Sequence, residues 1–125
     1  MKEYMFYIRN DGSKLSSEDE KKFLKQCEIY IEELKKQGKL ISAQPLGKEG
    51  KIISRVDNVW KEESYNESED TDAGYYHIRA VDLDDAIVLA KQNPEFMYRS
   101  SAKIEIHSIK TEEKTTGYVY PKGKI

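Results

Sequence analysis

Two histidines, His77 and His107, two arginines, Arg9 and Arg79, and the carboxylate Glu105 stand in short segments whose residues alternate between apolar and polar. A histidine exchanges a proton near neutral pH, its ordinary pKa being about 6.5, so His77 has the chemistry of a general acid or base. An arginine grips a carboxylate or phosphate through two parallel hydrogen bonds, the chemistry open to Arg9 and Arg79. Tyr7 and Tyr75, in the same segments, add rings that combine an apolar body with a polar tip. Each residue also has a plain structural reading. His77 can hydrogen-bond across a subunit interface, and either arginine can pair with Glu105 without doing any chemistry.

Other chemical groupings have simpler explanations. Two histidines and a glutamate suggest zinc, yet no short histidine spacing is present and a guanidinium between the ligands would repel a dication, so no metal and no cofactor is expected. Cys27 falls on the apolar face of a helix and reads as an inert core thiol. Asp82, Asp84 and Asp85 open a helix, where acids cap free N–H groups and complement the dipole. Gly47 and Gly50 are too far apart for a phosphate-binding loop and read as a turn between strands.

The elements that must hold these residues follow from periodicity. "EYMFYIR" at residues 3–9 alternates as a strand, and "NDGS" turns the chain. A helix follows from Ser16 or Ser17, with Ser17 and Glu20 in a capping box. It carries Phe23, Leu24, Cys27, Tyr30, Ile31 and Leu34 on one face and ends at Gly38. "LISAQPLGKEGKIISR" supplies two short strands about the turn residues Pro45, Gly47 and Gly50, and the acidic stretch 57–72 reads as a solvated insertion with at most one short strand. "AGYYHIRAV" is a strand, and "DLDDAIVLAKQNP" a helix capped by Asp82 with Leu83, Ala86, Ile87 and Ala90 inward. "AKIEIHSI" is the last strand of a domain spanning 1–110. A polar tail, 111–125, follows, in which Tyr118, Val119 and Tyr120 form a further strand or pack on a partner.

At 125 residues, 35% charged but with a net charge of only −2, the chain suits one domain and offers no basic surface for nucleic acid. No window approaches the ~18 apolar residues of a membrane span. One cysteine and a start of Met1-Lys2-Glu3 lead us to expect a cytoplasmic protein that neither enters a membrane nor binds nucleic acid.

The order β-α-β-β-α-β predicts an α+β, ferredoxin-like fold with both helices on one face of an antiparallel sheet. Alternation then turns Phe6, Ile8, Tyr76, Ile78, Ala80, Ile104 and Ile106 toward the helices. Met5, Tyr7, Arg9, Tyr75, His77, Arg79, Glu105, His107 and Ile109 occupy the opposite face. Rings, cations and apolar groups in that mixture are typical of an interface or a ligand pocket. The strands of His77 and His107 are expected to flank the first strand, about 10 Å apart across the sheet.

With "KEYMFYI", "AQPLGKEGKIISR", "GYYHIRAVDLDDAIVLAKQNPEF" and "AKIEIHSI" in this order, residues 3–109 resemble the YCII-related family, in the branch named for an Asp-Gly-Pro-Phe motif. "EESYNESED" stands where that motif and the segment after it would stand. Tyr65, Glu67, Ser68 and Asp70 match approximately, while Glu62, Glu63 and Ser64 replace Asp-Gly-Pro. The resemblance implies a dimeric α/β barrel, two sheets facing each other around a cleft. It also implies lyase-like activity in the wider family and a link of this branch to transcription through sigma factors. The His-Asp pair that some members carry has its histidine near the first strand and helix, where this chain has none.

Three readings of function result. The first is a homodimer binding a small anionic or aromatic ligand in its cleft through Tyr7, Arg9, Tyr75, Arg79, Glu105 and His107. The second is a lyase or hydrolase-like enzyme using His77 as acid or base. The third is a regulatory or protein-interaction module linked to transcription.

Overall fold

The computed structural model describes residues 1–64 and 71–121. Its elements, in chain order, are β1 (Lys2–Asn10), α1 (Ser17–Lys36), β2 (Leu40–Pro45), β3 (Ile52–Val56), β4 (Val59–Glu63), β5 (Thr71–Ala80), α2 (Leu83–Lys91), the short α3 (Glu95–Tyr98) and β6 (Lys103–Ser108). Four strands form one antiparallel sheet in the order β2-β5-β1-β6, so the first strand is central and β5 and β6 flank it as expected. The fold is α+β. Among the described residues no helix is long and apolar enough to cross a membrane.

The period-two pattern decides which face is covered. Tyr4, Phe6 and Ile8 of β1 and Tyr76, Ile78 and Ala80 of β5 are buried against Tyr30 and Leu34 of α1 and Ala86, Leu89 and Ala90 of α2, with Ile104 and Ile106 packed beside them. Phe6 and Ile78 have no exposed surface. The inward face of α2 thus differs from the expected one: Leu89 is buried and Leu83 is half exposed.

Local chemistry sets the helix ends. Ser16, outside the helix, accepts a hydrogen bond from the Asp19 N–H and is the N-cap, so the expected capping box on Ser17 does not form. Ser17 is already helical, one position too late to cap. At the other end Gly38 adopts φ +68°, with its N–H bonded to the Lys35 carbonyl and that of Lys39 to the Leu34 carbonyl. These two bonds form a Schellman motif, which needs a residue tolerant of the left-handed region. Asp82 caps α2 as expected, accepting from the Asp85 N–H.

One expectation for the middle of the chain fails. The strand after Gly50, β3, does not return beside β2; it pairs with β4 in a separate two-stranded ribbon, Val56 opposite Val59. Asp57 and Asn58 make the turn with φ 50° and 66°. Positive φ at both central residues marks a type I′ turn, whose twist suits a tight hairpin, and Asp and Asn are the side chains best able to adopt it. The hairpin signal therefore lies at Asp57-Asn58, and Gly47 and Gly50 lie in the connection between β2 and the ribbon. The short strand allowed for in the acidic insertion is β4, and residues 65–70 of the insertion lie outside those described. In the tail, Glu112 and Val119 form a single bridge and the Tyr118 and Tyr120 rings meet edge-on at 5.3 Å, so no further sheet strand forms among the described residues.

The first half of α1 departs most from its pattern. Phe23, Cys27 and Ile31 are only half-buried and Leu24 is exposed, although all four continue the stripe of Tyr30 and Leu34. Cys27 is accordingly not a core residue. It lies on the wall of a cavity between α1 and the sheet.

Candidate functional site

On the face of the sheet away from the helices, β1 presents Glu3, Met5, Tyr7 and Arg9, and cross-strand pairing arranges their neighbours in rows. Met5 lies between His77 of β5 and His107 of β6; Tyr7 lies between Tyr75 and Glu105; Glu3 is opposite Arg79. Two strand spacings separate the histidines, about 10 Å. On the far side of β5, Ser42 is opposite His77 and Gln44 opposite Tyr75. The pairing slips between Leu40 and Ser42, and Ile41 joins Ser42 on this face.

Met5, Tyr7, Ile41, Ser42, Tyr75 and His77 line a shallow depression of about 400 Å³. Of the residues singled out from sequence, Tyr7, Tyr75 and His77 therefore come together. The hydroxyls of Ser42 and Tyr75 lie 3.4 Å apart.

His77 Nε2 lies 2.8 Å from Glu3 Oε1, with the histidine side chain 18% and the glutamate side chain 8% exposed. Its polar partner is thus within the same chain and was not foreseen. A carboxylate on one ring nitrogen fixes the tautomer and orientation of the imidazole, and it leaves Nδ1 as the atom through which a proton would be exchanged. The missed signal was simple: alternation extended two residues back from Met5 puts Glu3 on the same face.

Arg9, Glu105 and His107 form a second group over β6. Arg9 Nε is 3.2 Å from Asp72, Arg9 Nη2 is 3.9 Å from Glu105, and His107 Nε2 is 2.7 Å from Glu105 Oε2. The hydrogen bond from His107, and after it the Arg9 charge, lowers the Glu105 pKa from its ordinary value. The His107 ring also meets Tyr7 edge-on, with centroids 5.8 Å apart. Arg9 thus has two carboxylate neighbours, the ion-pair reading of this residue. Asp72 reaches it because the β1–β5 pairing steps from Ile8–Gly74 to Arg9–Asp72, skipping Ala73. Such a bulge has no local sequence signature here. Arg79 lies a row beyond the depression, opposite Glu3.

Among the described residues no three His, Cys, Asp or Glu side chains converge to hold a metal ion. Compared with protein-family models and with curated proteins, the chain matches none.

Proposed function

We propose that the chain is a YCII-related cytoplasmic protein of ferredoxin-like fold, one half of a homodimeric α/β barrel, whose cleft binds a small aromatic or anionic ligand. One observation carries this reading: the sheet face away from the helices gathers Tyr7, Tyr75 and His77 around a depression while the opposite face holds the hydrophobic core. Apolar rings left open on a sheet favour a covering surface, and a second copy of the same face would close the depression into a cleft. The strand order β2-β5-β1-β6 supports the fold assignment, and the order of the four matching segments supports the family. An aromatic ligand is favoured over a purely anionic one, because Arg9 is already matched by Asp72 and Glu105.

A lyase or hydrolase-like activity is the second reading, and the Glu3–His77 pair favours it, since it presents an oriented imidazole beside the depression.

One panel tests both. Benzamide, benzoate and phenylacetate titrated calorimetrically should bind, and Tyr75→Ala should weaken all three by about tenfold through lost ring contact. No binding by any of them would overturn the first reading. Phenyl acetate, whose ester bond gives acetate and phenol on attack by water, extends the panel to the second reading: its hydrolysis, lost in both His77→Ala and Glu3→Gln, would establish that reading, and a binder has no turnover to lose.

A further inference from the structure

The cavity on the helix side of the sheet has no part in the proposed cleft. It measures about 390 Å³ and is walled by Phe23, Leu24, Cys27 and Ile31 of α1 and by Ile8 and Tyr76 of the sheet. Interior packing defects rarely exceed the size of a water, whereas 300 Å³ and upward, roughly, is the range of small-molecule pockets. The wall is built from the helix stripe that periodicity assigns to the core. Phe23, Cys27 and Ile31 are half-buried because nothing among the described residues fills the space in front of them.

One end of the cavity is polar. Asn10, Glu95 and Arg99 meet there, and Glu95, only 6% exposed, accepts a hydrogen bond of 2.8 Å from Asn10 Nδ2. Arg99 Nε is 3.3 Å from the same Glu95 oxygen, and Nη1 donates to the Ser13 carbonyl and hydroxyl oxygens. Yet Arg99 Nε, shielded from water, makes no well-aligned hydrogen bond among the described residues. A buried donor in that condition is costly unless an acceptor reaches it.

The charges select the ligand. An anion at this end would face the Glu95 carboxylate, and a cation would face Arg99. A neutral hydroxyl meets both demands, since its oxygen accepts from Arg99 Nε and its proton is donated to the Glu95 carboxylate. The aromatic and aliphatic wall suits an apolar body behind it. We propose that this cavity binds a small neutral molecule with an apolar, preferably aromatic, body and a single hydroxyl head, the chemical class of an alkylphenol.

The test uses the full chain and three probes of similar size: 4-propylphenol, propylbenzene and 4-propylbenzoate. By calorimetry the phenol should bind about tenfold or more tightly than either of the others, the difference expected from hydrogen bonds to charged partners. Ile31→Trp, which fills the cavity, should reduce phenol affinity by at least about tenfold with an unchanged circular dichroism spectrum. Should that variant not fold, Leu24→Trp, at an exposed position on the rim, serves in its place. Saturating phenol should also slow alkylation of Cys27, the only thiol of the chain. Tyr75→Ala, on the opposite sheet face, should leave phenol binding intact, which separates this site from the proposed cleft. Equal affinity for all three probes, no binding at millimolar phenol, binding that survives the tryptophan variant, or binding lost in Tyr75→Ala with no protection of Cys27 would overturn the proposal.

Discussion

Single side chains on the open sheet face are tuned by their immediate partners. Glu105 is exposed, and its pKa is held below its ordinary value by the His107 hydrogen bond and then by the Arg9 charge. A carboxylate whose folded pKa is lowered contributes stability above its unfolded pKa, near 4.5, and loses it as the pH falls through the lower folded value. His107→Ala should therefore raise the Glu105 pKa toward 4.5 in an NMR titration of side-chain carboxyl carbons. An unchanged pKa would mean that Arg9 alone holds it down. Cys27 is shifted in the other direction, pushed up to about 11 chiefly by burial and secondarily by the charges of Glu95 and Glu28. Its thiol stays protonated at neutral pH and should label slowly even where reagent reaches the cavity.

Strands and helices are held in place by a few close contacts. Gly74 on β5 permits one of them. A Cβ at this position would lie 2.8 Å from the Gln44 carbonyl oxygen and 3.1 Å from the Pro45 Cα, both backbone atoms of β2 that cannot swing aside. Gly74→Ala should force β2 away from β5 and cost about 1–3 kcal/mol in urea unfolding, the usual penalty of overpacking. A loss below about 0.5 kcal/mol would show that the edge strand yields freely. At the far end of β1, Asn10 ties the strand to α3 through Glu95, and its Oδ1 accepts from the Gly12 N–H to set the turn that follows. One buried side chain thus joins the central strand to the helix side and shapes the polar end of the cavity.

For the molecule as a whole, the two sides of the sheet are unequal. The helices cover one, and the other presents rings and paired charges. The β3–β4 ribbon adds a further exposed apolar surface through Ile53, Val56, Val59 and Trp60. A two-stranded ribbon is marginal by itself in water, so cover from another chain would stabilise it. Sedimentation equilibrium should return twice the 14.6 kDa chain mass. Tyr75→Lys, placing a cation among the rings of the open face, should shift the equilibrium toward the single chain. A monomer at tens of micromolar would remove the dimeric barrel while leaving the helix-side cavity untouched.

How much of this was legible in advance follows from the range of each interaction. Period-two alternation is local, so the residues alone were enough to turn Phe6, Ile78 and Ala80 toward the helices and Tyr7, Tyr75 and His77 away from them. Gly38 and Asp82 were equally readable, because a cap depends on the few residues beside it. The Glu3–His77 pair, the bulge that brings Asp72 to Arg9 and the departure of β3 from the sheet depend on which strands pair and in what register. No window of residues encodes those choices. The gap in front of Phe23, Cys27 and Ile31 is the clearest case. Their spacing marks an apolar face, and only the packing of α1 against the sheet decides that half of that face opens onto a cavity instead of a core.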